Sequence, residues 1–269
     1  MASPKAKRVK DLQIKRAARA SKEVLPSFNY LMTLMYDGSN YGGYGKQKHQ
    51  NTIQDTLNKV LSDYFKEEIV TIESSRTDAK VHALDQKVMF KLNRQINTNK
   101  VLSSLNDLLP SDIIIKDLVK VRNDFHSRYD VLNKTYMYQI NQNLDPRLSK
   151  YAWYIKEDLN IQKMIEACQC LLGKHDFNTF KSGKAQSESS VRTINDISII
   201  ENNGLIEISI NGDGFLYNMV RLIVKALVDI GLGKKDVLYM KELLDLKSKP
   251  DHLESAPAQG LTLMKINYK

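Results

Sequence analysis

Several features that define common protein classes are scarce or missing in this sequence. Its 269 residues contain only two cysteines, Cys168 and Cys170, and no apolar run of about 18 residues, the length that crosses a membrane as a helix. Neither a Walker-type phosphate loop nor a metal-ligand spacing occurs. The cysteines fall on an apolar helical pattern without a cluster of His or Cys, which favours core thiols in a reducing compartment over a disulfide or a zinc site. No secretory signal is present, so we expect a cytoplasmic protein.

The positive charge is concentrated at the N-terminus. The chain carries a net charge of +9, and its 42% of apolar residues is enough for a globular core. Residues 1–25 hold eight Lys and Arg against Asp11 and Glu23, which gives +6 there and leaves +3 for the rest. We therefore expect nucleic acid to bind the body only through a local groove. Residues 1–26 are interpreted as a mobile basic arm that adds phosphate affinity; a solubilising tail and a mitochondrial presequence are the alternatives.

The apolar periodicity of the first half predicts the order strand, helix, strand, strand, helix, strand. The strands are expected at 28–36, 69–72, 86–92 and from Ile113 onward. The helices are expected to begin at Thr52, with Asp55 completing a capping box, and near Thr98, with Pro110 closing the second. This order is typical of a ferredoxin-like α+β unit with antiparallel pairing in the sheet.

The second half contains a similar alternation. Strands are predicted at 134–138, 194–200, 205–210 and 261–268. Helices are predicted from Asn160 to a stop at Gly173, from 215 to 230, and around Leu243. Arg221 lies inside the strongly apolar helix at 215–230. We expect it either to have a buried partner, because an unpaired buried charge is very costly, or to extend to the surface.

The stretch 74–83 is the first candidate for chemistry. It is a short polar connection between two strand patterns, and it contains Arg76 and Asp78. A carboxylate in such a loop suits catalysis, although many Arg-x-Asp triplets are solvated ion pairs or turn residues. The loop 39–47 combines glycines, tyrosines and a lysine, which suits close approach to a nucleic-acid backbone and also an ordinary flexible loop.

Two further segments have the composition of RNA-binding surfaces. Aromatic residues alternate with Lys and Arg at 125–129 and at 134–138. Bases stack on aromatic rings while cations meet phosphates, although tyrosines on strands are also common for packing alone. The polar loop 181–192 has no core signal and is interpreted as mobile or as a partner contact.

These segments together resemble the TruA-type tRNA pseudouridine synthases, in the order of that family and over residues 28–269. The matching pieces are Tyr36-Asp37-Gly38, Arg76-Thr77-Asp78-Ala79 with His82 and Gln86, Phe125-His126-Ser127-Arg128, Lys134-Thr135-Tyr136-Met137-Tyr138, Asp176-Phe177 with Phe180, Val191-Arg192-Thr193-Ile194, Gly214-Phe215-Leu216 with Met219-Val220-Arg221, and Ala256-Pro257-Ala258-Gln259-Gly260-Leu261. No piece decides the matter alone, but the collinear set is specific.

The resemblance implies two ferredoxin-like halves, 27–124 and 125–269, joined through a mainly antiparallel sheet with a central catalytic cleft. It implies a homodimer that binds tRNA and isomerises uridine to pseudouridine in the anticodon stem-loop (positions of the 38–40 type), without metal or cofactor. By match, Asp78 is the catalytic aspartate, Arg76 helps to flip the target nucleotide, Tyr136 packs on its base and Arg221 pairs with Asp78. Further RNA-binding candidates are Phe125, His126, Arg128, Lys80 and Lys184.

The chain departs from the family pattern at a few positions. Lys80 and Asp85 stand where glycine is usual, Gly45 falls within an altered first loop, and Glu188 stands where Arg is frequent. These departures leave two alternatives open: the same chemistry on another RNA or at other positions, and an RNA-binding paralogue without turnover. Asp78 could act as a nucleophile or as a base in an elimination route.

Overall fold

The computed structural model describes residues 27–183, 189–246 and 248–269. The basic arm at 1–26, Lys184 and Glu188 lie outside the described residues. The strands are β1 Phe28–Tyr36, β2 Ile72–Glu73, β3 His82–Leu92, β4 Ile113–Val121, β5 Val131–Asn141, β6 Trp153–Tyr154, β7 Gly173–Asp176, β8 Val191–Asn202, β9 Leu205–Gly212 and β10 Leu261–Tyr268. The helices are α1 Ile53–Phe65, α2 Thr98–Leu108, α3 Ile161–Cys168, α4 Met219–Gly231 and α5 Tyr239–Asp245.

All of these strands belong to one sheet, in the order β4-β1-β3-β10-β5-β9-β8-β7, with β2 paired to β3 and β6 to β5. The first part, β4-β1-β3-β2, is antiparallel throughout and has the ferredoxin-like order. The second part, β10-β5-β9-β8, repeats that order with α3 and α4 as its helices. The expected α+β fold with two ferredoxin-like halves is therefore confirmed; the residue limits 27–124 and 125–269 stay a prediction.

The two parts meet where β10 lies parallel to β3. Only two residue pairs form this junction, Thr262 with His82 and Leu263 with Ala83. Because β3 begins directly after the stretch that holds Asp78, the junction brings the catalytic candidate next to the second half. Both halves contribute to the larger hydrophobic core, and Leu31, Met89 and Phe125 form a small second cluster. Among the described helices, none has the length and apolar character to cross a bilayer.

The periodicity of the sequence predicts most of the elements well. The strands at 28–36 and 261–268 have the expected bounds, and Thr52 caps α1 by accepting a hydrogen bond from the Asp55 amide. The second helix is capped by Asn97 rather than Thr98. These elements have strong local signals, namely a two-sided apolar strand and polar N-cap residues.

Several predicted boundaries are wrong. The strand expected at 86–92 begins at His82, so the last two residues of the stretch 74–83 belong to β3. The strand at 69–72 is reduced to Ile72–Glu73, because the Thr71 amide bonds to the Asn58 side chain instead of a neighbouring strand. The helix predicted from Phe215 begins at Met219, since Phe215 and Leu216 are irregular and a turn follows at Tyr217 and Asn218, where Asn218 has a φ of 63°. The helix after Asn160 ends at Cys168 and a 3-10 turn follows, whereas Gly173 opens β7.

Candidate active site

The loop 74–81, called the signature loop below, is held in shape by the buried side chain of Gln86. Its amide nitrogen donates to the Ser75 carbonyl at 2.6 Å, and its oxygen accepts from the Ser75 amide at 3.3 Å. The Tyr36 hydroxyl lies 2.7 Å from the Thr77 hydroxyl. Two central strands, β1 and β3, therefore hold the loop through side chains that are fully enclosed. Such bonds are costly to leave unmade, so they favour one loop conformation.

The loop 39–47 packs directly against the signature loop. The Tyr44 amide donates to the Thr77 carbonyl at 3.0 Å, and a Cβ on Gly43 would lie 2.8 Å from that same oxygen. Gly43 also has a φ of 109°, which side chains rarely adopt. Tyr41 and Tyr44 are buried. The glycines of loop 39–47 therefore allow its backbone to approach the signature loop rather than a nucleic acid. The buried rings of Tyr41 and Tyr44 are not available for stacking on a base.

Asp78 forms an ion pair with Arg221 across the two halves of the sheet. Arg221 Nη1 lies 3.3 Å from Asp78 Oδ2, and both side chains are mostly buried. Burial raises the pKa of the Asp78 carboxyl above its ordinary value, and the charge and hydrogen bond of Arg221 offset only part of that shift. The carboxyl thus ionises less readily than a solvated aspartate, contrary to the simple expectation that an arginine keeps its pKa low.

Arg221 is the buried cation that the sequence indicated, and it has partners. Its Nε donates to the Ala256 carbonyl at 2.7 Å, Nη1 to Asn218 Oδ1 at 2.9 Å and Nη2 to Ser255 Oγ at 3.0 Å. These bonds fix the plane of the guanidinium before any substrate arrives. The left-handed conformation of Asn218, just before α4, places its side-chain oxygen next to Arg221. The alternative in which Arg221 extends to the surface is therefore wrong.

Tyr136 lies close to the same carboxylate. Its hydroxyl is 2.9 Å from Ser75 Oγ, and its ring meets the ring of Phe215 edge-on with centroids 5.3 Å apart. Burial raises the pKa of Tyr136 to about 12; the hydrogen bond with Ser75 acts in the opposite direction, and the nearby Asp78 charge adds a smaller increase. The phenol therefore stays protonated at neutral pH, and the Tyr136 side chain sits between the signature loop and the segment before α4.

A buried carboxylate that the sequence analysis did not single out lies under the other cations of the site. Glu73 is the last residue of β2 and is only 4% exposed. Its Oε1 accepts from Arg76 Nε at 3.2 Å and from Arg128 Nη2 at 2.5 Å. The Arg76 and Arg128 side chains are 59% and 41% exposed, so their outer surfaces reach solvent. A glutamate at a strand end gives no local signal for such contacts.

Lys134 on β5 completes this group. Its Nζ donates to the Ser74 carbonyl at 2.8 Å. Burial lowers the pKa of Lys134 to about 8, repulsion by Arg128 adds to the effect, and Glu73 acts in the opposite direction. Lys134 therefore carries a labile proton near neutral pH, unlike the arginines beside it.

Lys80 lies on the exposed side of the signature loop. Its φ is 66°, and a turn from Asp78 to Val81 is closed by the Val81 amide, which donates to the Asp78 carbonyl at 3.2 Å. A residue with a side chain costs more than glycine in this backbone conformation, which gives a physical reason for the usual glycine of the family.

The remaining RNA-binding candidates lie in different environments. Phe125 is buried against Leu31 and Met89, with its ring edge-on to Tyr268, so its burial does not favour contact with a base. The His126 ring is half-buried, accepts from the Arg128 amide and lies beside the exposed ring of Tyr129. Lys184 lies outside the described residues. Their roles as RNA contacts stay predictions.

His82 of the signature stretch has a structural position. Its Nδ1 accepts from the Gly38 amide at 3.1 Å, while its Nε2 lies 2.9 Å from the Lys150 carbonyl. Both nitrogens are thus occupied, and the buried ring connects the end of β1 and the segment before β6 to the start of β3.

A separate cavity of about 380 Å³ lies at α5 and is lined by residues such as Tyr239 and His252. Within the described residues, no group of His, Cys, Asp or Glu side chains could hold a metal ion.

Comparison with known proteins assigns the family. A family model described as tRNA pseudouridine synthase matches residues 32–130 and 167–269. The chain belongs to the tRNA pseudouridine synthase family. A tRNA pseudouridine synthase A 2 from Clostridium tetani is 42% identical over 244 residues, covering 89% of this chain and 98% of the relative. A tRNA pseudouridine synthase A from a Thermoanaerobacter species is 41% identical over 244 residues, covering 89% and 99%.

Likeness to solved structures is weaker. The crystal structure of a Cbf5-Nop10-Gar1 complex aligns with a TM-score of 0.32 and 11% identity, over 74% of this chain and 54% of that one, too low to carry an argument. The resemblance drawn from the motifs is confirmed by the family match and the sequence relatives. An isomerase of the pseudouridine synthase class is confirmed with it.

Proposed function

We propose that this enzyme isomerises uridine to pseudouridine in the anticodon stem-loop of tRNA, with Asp78 as the nucleophile. The observation that carries the proposal is the Asp78–Arg221 ion pair beside Tyr136, at the end of a loop that Gln86 and Tyr36 hold rigid. A carboxylate fixed by an oriented arginine in a partly closed site is suited to a reaction that must keep a detached base in place. The relatives' name, tRNA pseudouridine synthase A, supports tRNA as the substrate.

The chemistry requires one bond to break and another to form. The N1–C1′ bond of uridine is lost, the uracil turns, and C5 bonds to C1′ while the C5 proton is released and N1 gains a proton. Asp78 adds to the substrate as a nucleophile and leaves when the new bond forms, so no atom is gained or lost overall. The target base must leave the stack to reach this site. On the family's precedent Tyr136 packs against it, although its ring is only 5% exposed in the structure, and Arg76, which reaches solvent, helps to flip the nucleotide.

The partner predictions follow from the same family. Binding of tRNA, a homodimer and a cytoplasmic location are proposed here on the family's precedent. The sequence-derived basic arm is proposed to add salt-dependent phosphate affinity. The halves at 27–124 and 125–269 are proposed as the two ferredoxin-like units.

The decisive experiment maps pseudouridine at nucleotide resolution in unmodified tRNA transcripts incubated with the purified protein. The wild-type enzyme is expected to modify the anticodon arm, whereas Asp78→Ala should lose turnover and still bind RNA. Asp145→Ala serves as a control, because Asp145 forms an ion pair with Arg147 at 2.7 Å outside this site. Equal activity of the Asp78→Ala variant would refute the catalytic role of Asp78.

Other outcomes separate the alternatives. Pseudouridine that depends on Asp78 but lies outside the anticodon arm would show the same chemistry with a different target. Binding of tRNA without product on any transcript would indicate an RNA-binding paralogue instead.

A further inference from the structure

Glu73 has an unusual environment for a residue next to a site that binds a polyanion. A carboxylate repels RNA phosphates, yet this one forms ion pairs with Arg76 and Arg128 and lies near enough to Lys134 to influence its charge. It is almost entirely enclosed, whereas both arginines remain substantially exposed. Its negative charge is thus shielded from solvent, whereas the positive charges of Arg76 and Arg128 face outward.

The geometry gathers groups from separate parts of the chain onto one oxygen atom. Arg76 comes from the signature loop and Arg128 from the connection between β4 and β5, and both donate to Glu73 Oε1. Glu73 itself is fixed by pairing of β2 with β3, opposite Val88. Two guanidinium groups so close to one another repel, and a shared carboxylate offsets that repulsion.

Resting on the proposed function, we propose that Glu73 is a positioning residue that holds Arg76 and Arg128 side by side as a paired cation site for the RNA backbone next to Asp78. Each guanidinium donates one N–H group to Glu73, and both side chains remain partly exposed, so the positive charge of the pair faces the solvent from which RNA phosphates would approach. The phosphates that flank the target nucleotide are the chemical class that such a pair would bind. Preorganisation of the pair removes an ordering cost when the RNA binds.

The proposal predicts the opposite of what simple charge counting predicts. If Glu73 were only a negative charge near RNA, its neutralisation would tighten RNA binding. If it positions the two arginines, its neutralisation weakens binding although the net charge becomes more positive. The two expectations differ in sign.

The test compares Glu73→Gln with Glu67→Gln. Glu67 pairs with Arg94 at 2.8 Å in the same half of the molecule and has no place in the proposed RNA site. Both variants lose one negative charge; Glu67→Gln loses one arginine ion pair, whereas Glu73→Gln loses two. Binding of a tRNA transcript is measured from about 50 to about 200 mM salt, together with kcat and KM for pseudouridine formation. We expect Glu73→Gln to weaken binding and lower kcat/KM by about tenfold, and to reduce the salt slope by about one to two. Glu67→Gln should behave as the wild type.

A second comparison tests the proposal even if Glu73→Gln does not fold. Arg76→Gln and Arg128→Gln alter partly exposed side chains, so thermal unfolding should show that both variants are folded. As a coupled pair, the two substitutions combined should cost less affinity than the sum of the single effects. Additive effects, or Glu73→Gln binding RNA as tightly as Glu67→Gln, would overturn the proposal.

The binding measurements also separate this inference from the proposed function. If the wild-type protein binds RNA but forms no pseudouridine, the proposed reaction fails while the Glu73 comparison still stands on affinity and salt slope. If pseudouridine forms and Glu73→Gln matches its control, the inference alone fails. A wild-type protein that binds no RNA overturns both.

Discussion

Asp78 is subject to two opposing influences on its pKa, and their balance sets when it is a carboxylate. Burial raises the pKa, and Arg221 lowers it through its positive charge and through a hydrogen bond of 3.3 Å. The guanidinium of Arg221 also donates hydrogen bonds to Ala256, Asn218 and Ser255. Its orientation is therefore set as much by its own half of the protein as by Asp78. Burial prevails, and the pKa lies above the ordinary value of aspartate.

This balance predicts the acidic side of the pH–activity profile. A nucleophilic carboxylate is active only when ionised, so kcat/KM should fall on acidification through a pKa above that of solvated aspartate. In Arg221→Met the lowering influence is gone, and the fall should move to higher pH. Single-turnover formation of pseudouridine, measured from about pH 4.5 to about pH 8, reports that pKa for each protein. An acidic limb at the same pH in both proteins would contradict the assignment.

The stability of an Asp78→Asn variant provides a control that needs no RNA. Because the folded-state pKa is raised, the folded wild type binds a proton more tightly than the unfolded chain. The free energy of unfolding should therefore decrease as pH rises from the ordinary aspartate pKa through the raised value. The Asn side chain does not titrate, so Asp78→Asn should lack this decrease.

At the scale of elements, the signature loop contains strain at Lys80. A side chain in the left-handed conformation costs about 1 kcal/mol or more relative to glycine, part of which the extra freedom of unfolded glycine offsets. We expect Lys80→Gly to raise the free energy of unfolding by roughly 0.5–1 kcal/mol. Thermal or urea unfolding measures the change. Lys80→Ala removes the same charge but keeps a Cβ, so an equal gain in both variants would assign the effect to charge rather than to the backbone.

The elements that could be predicted from the sequence are those whose signals are local. β1 is apolar on both faces and ends before Asp37-Gly38, and α1 has Thr52 as its cap. The start of α4 could not be predicted, because Phe215 continues the apolar pattern although its ring packs on Tyr136 outside the helix. Likewise, β2 is short because Asn58, thirteen residues earlier, takes the Thr71 amide.

The sequence predicted those residues of the site that lie in recognisable family motifs. Asp78, Arg221 and Tyr136 do come together, in accordance with the family motifs. The motifs did not point to Glu73 at the end of β2, whose partners come from the signature loop and from the β4–β5 connection. They also did not distinguish the buried Phe125 from an exposed ring, since its burial depends on Leu31 and Met89 in other strands.

At the scale of the whole molecule, the Asp78–Arg221 ion pair depends on the narrow parallel junction between β3 and β10. Asp78 precedes β3, whereas Arg221 and its partners Ser255 and Ala256 belong to the second half. Backbone pairing at the junction is limited to two residue pairs, after which β10 has an irregularity between Leu263 and Lys265. Beyond these two pairs, contact between β3 and β10 must be made by side chains.

The side chain of Asp85 on β3 makes such a contact with β10, at a position where the family usually has glycine. Its Oδ2 accepts from the amide of the buried Ile266 at 2.9 Å, and its Oδ1 pairs with Lys87 Nζ at 2.8 Å. Asp85→Ala should leave the Ile266 amide without a partner and cost about 1–3 kcal/mol of folding free energy. Asp85→Asn retains an acceptor and should cost less, mainly the contact with Lys87.

Hydrogen exchange at the Ile266 amide tests this junction directly. Exchange should be fastest in Asp85→Ala, intermediate in Asp85→Asn and slowest in the wild type, because only the aspartate and asparagine side chains can accept from that N–H. If the junction holds Asp78 in place against Arg221, kcat for pseudouridine formation should fall in the same order. Equal exchange rates in all three proteins would show that β10 is held to β3 by backbone pairing alone.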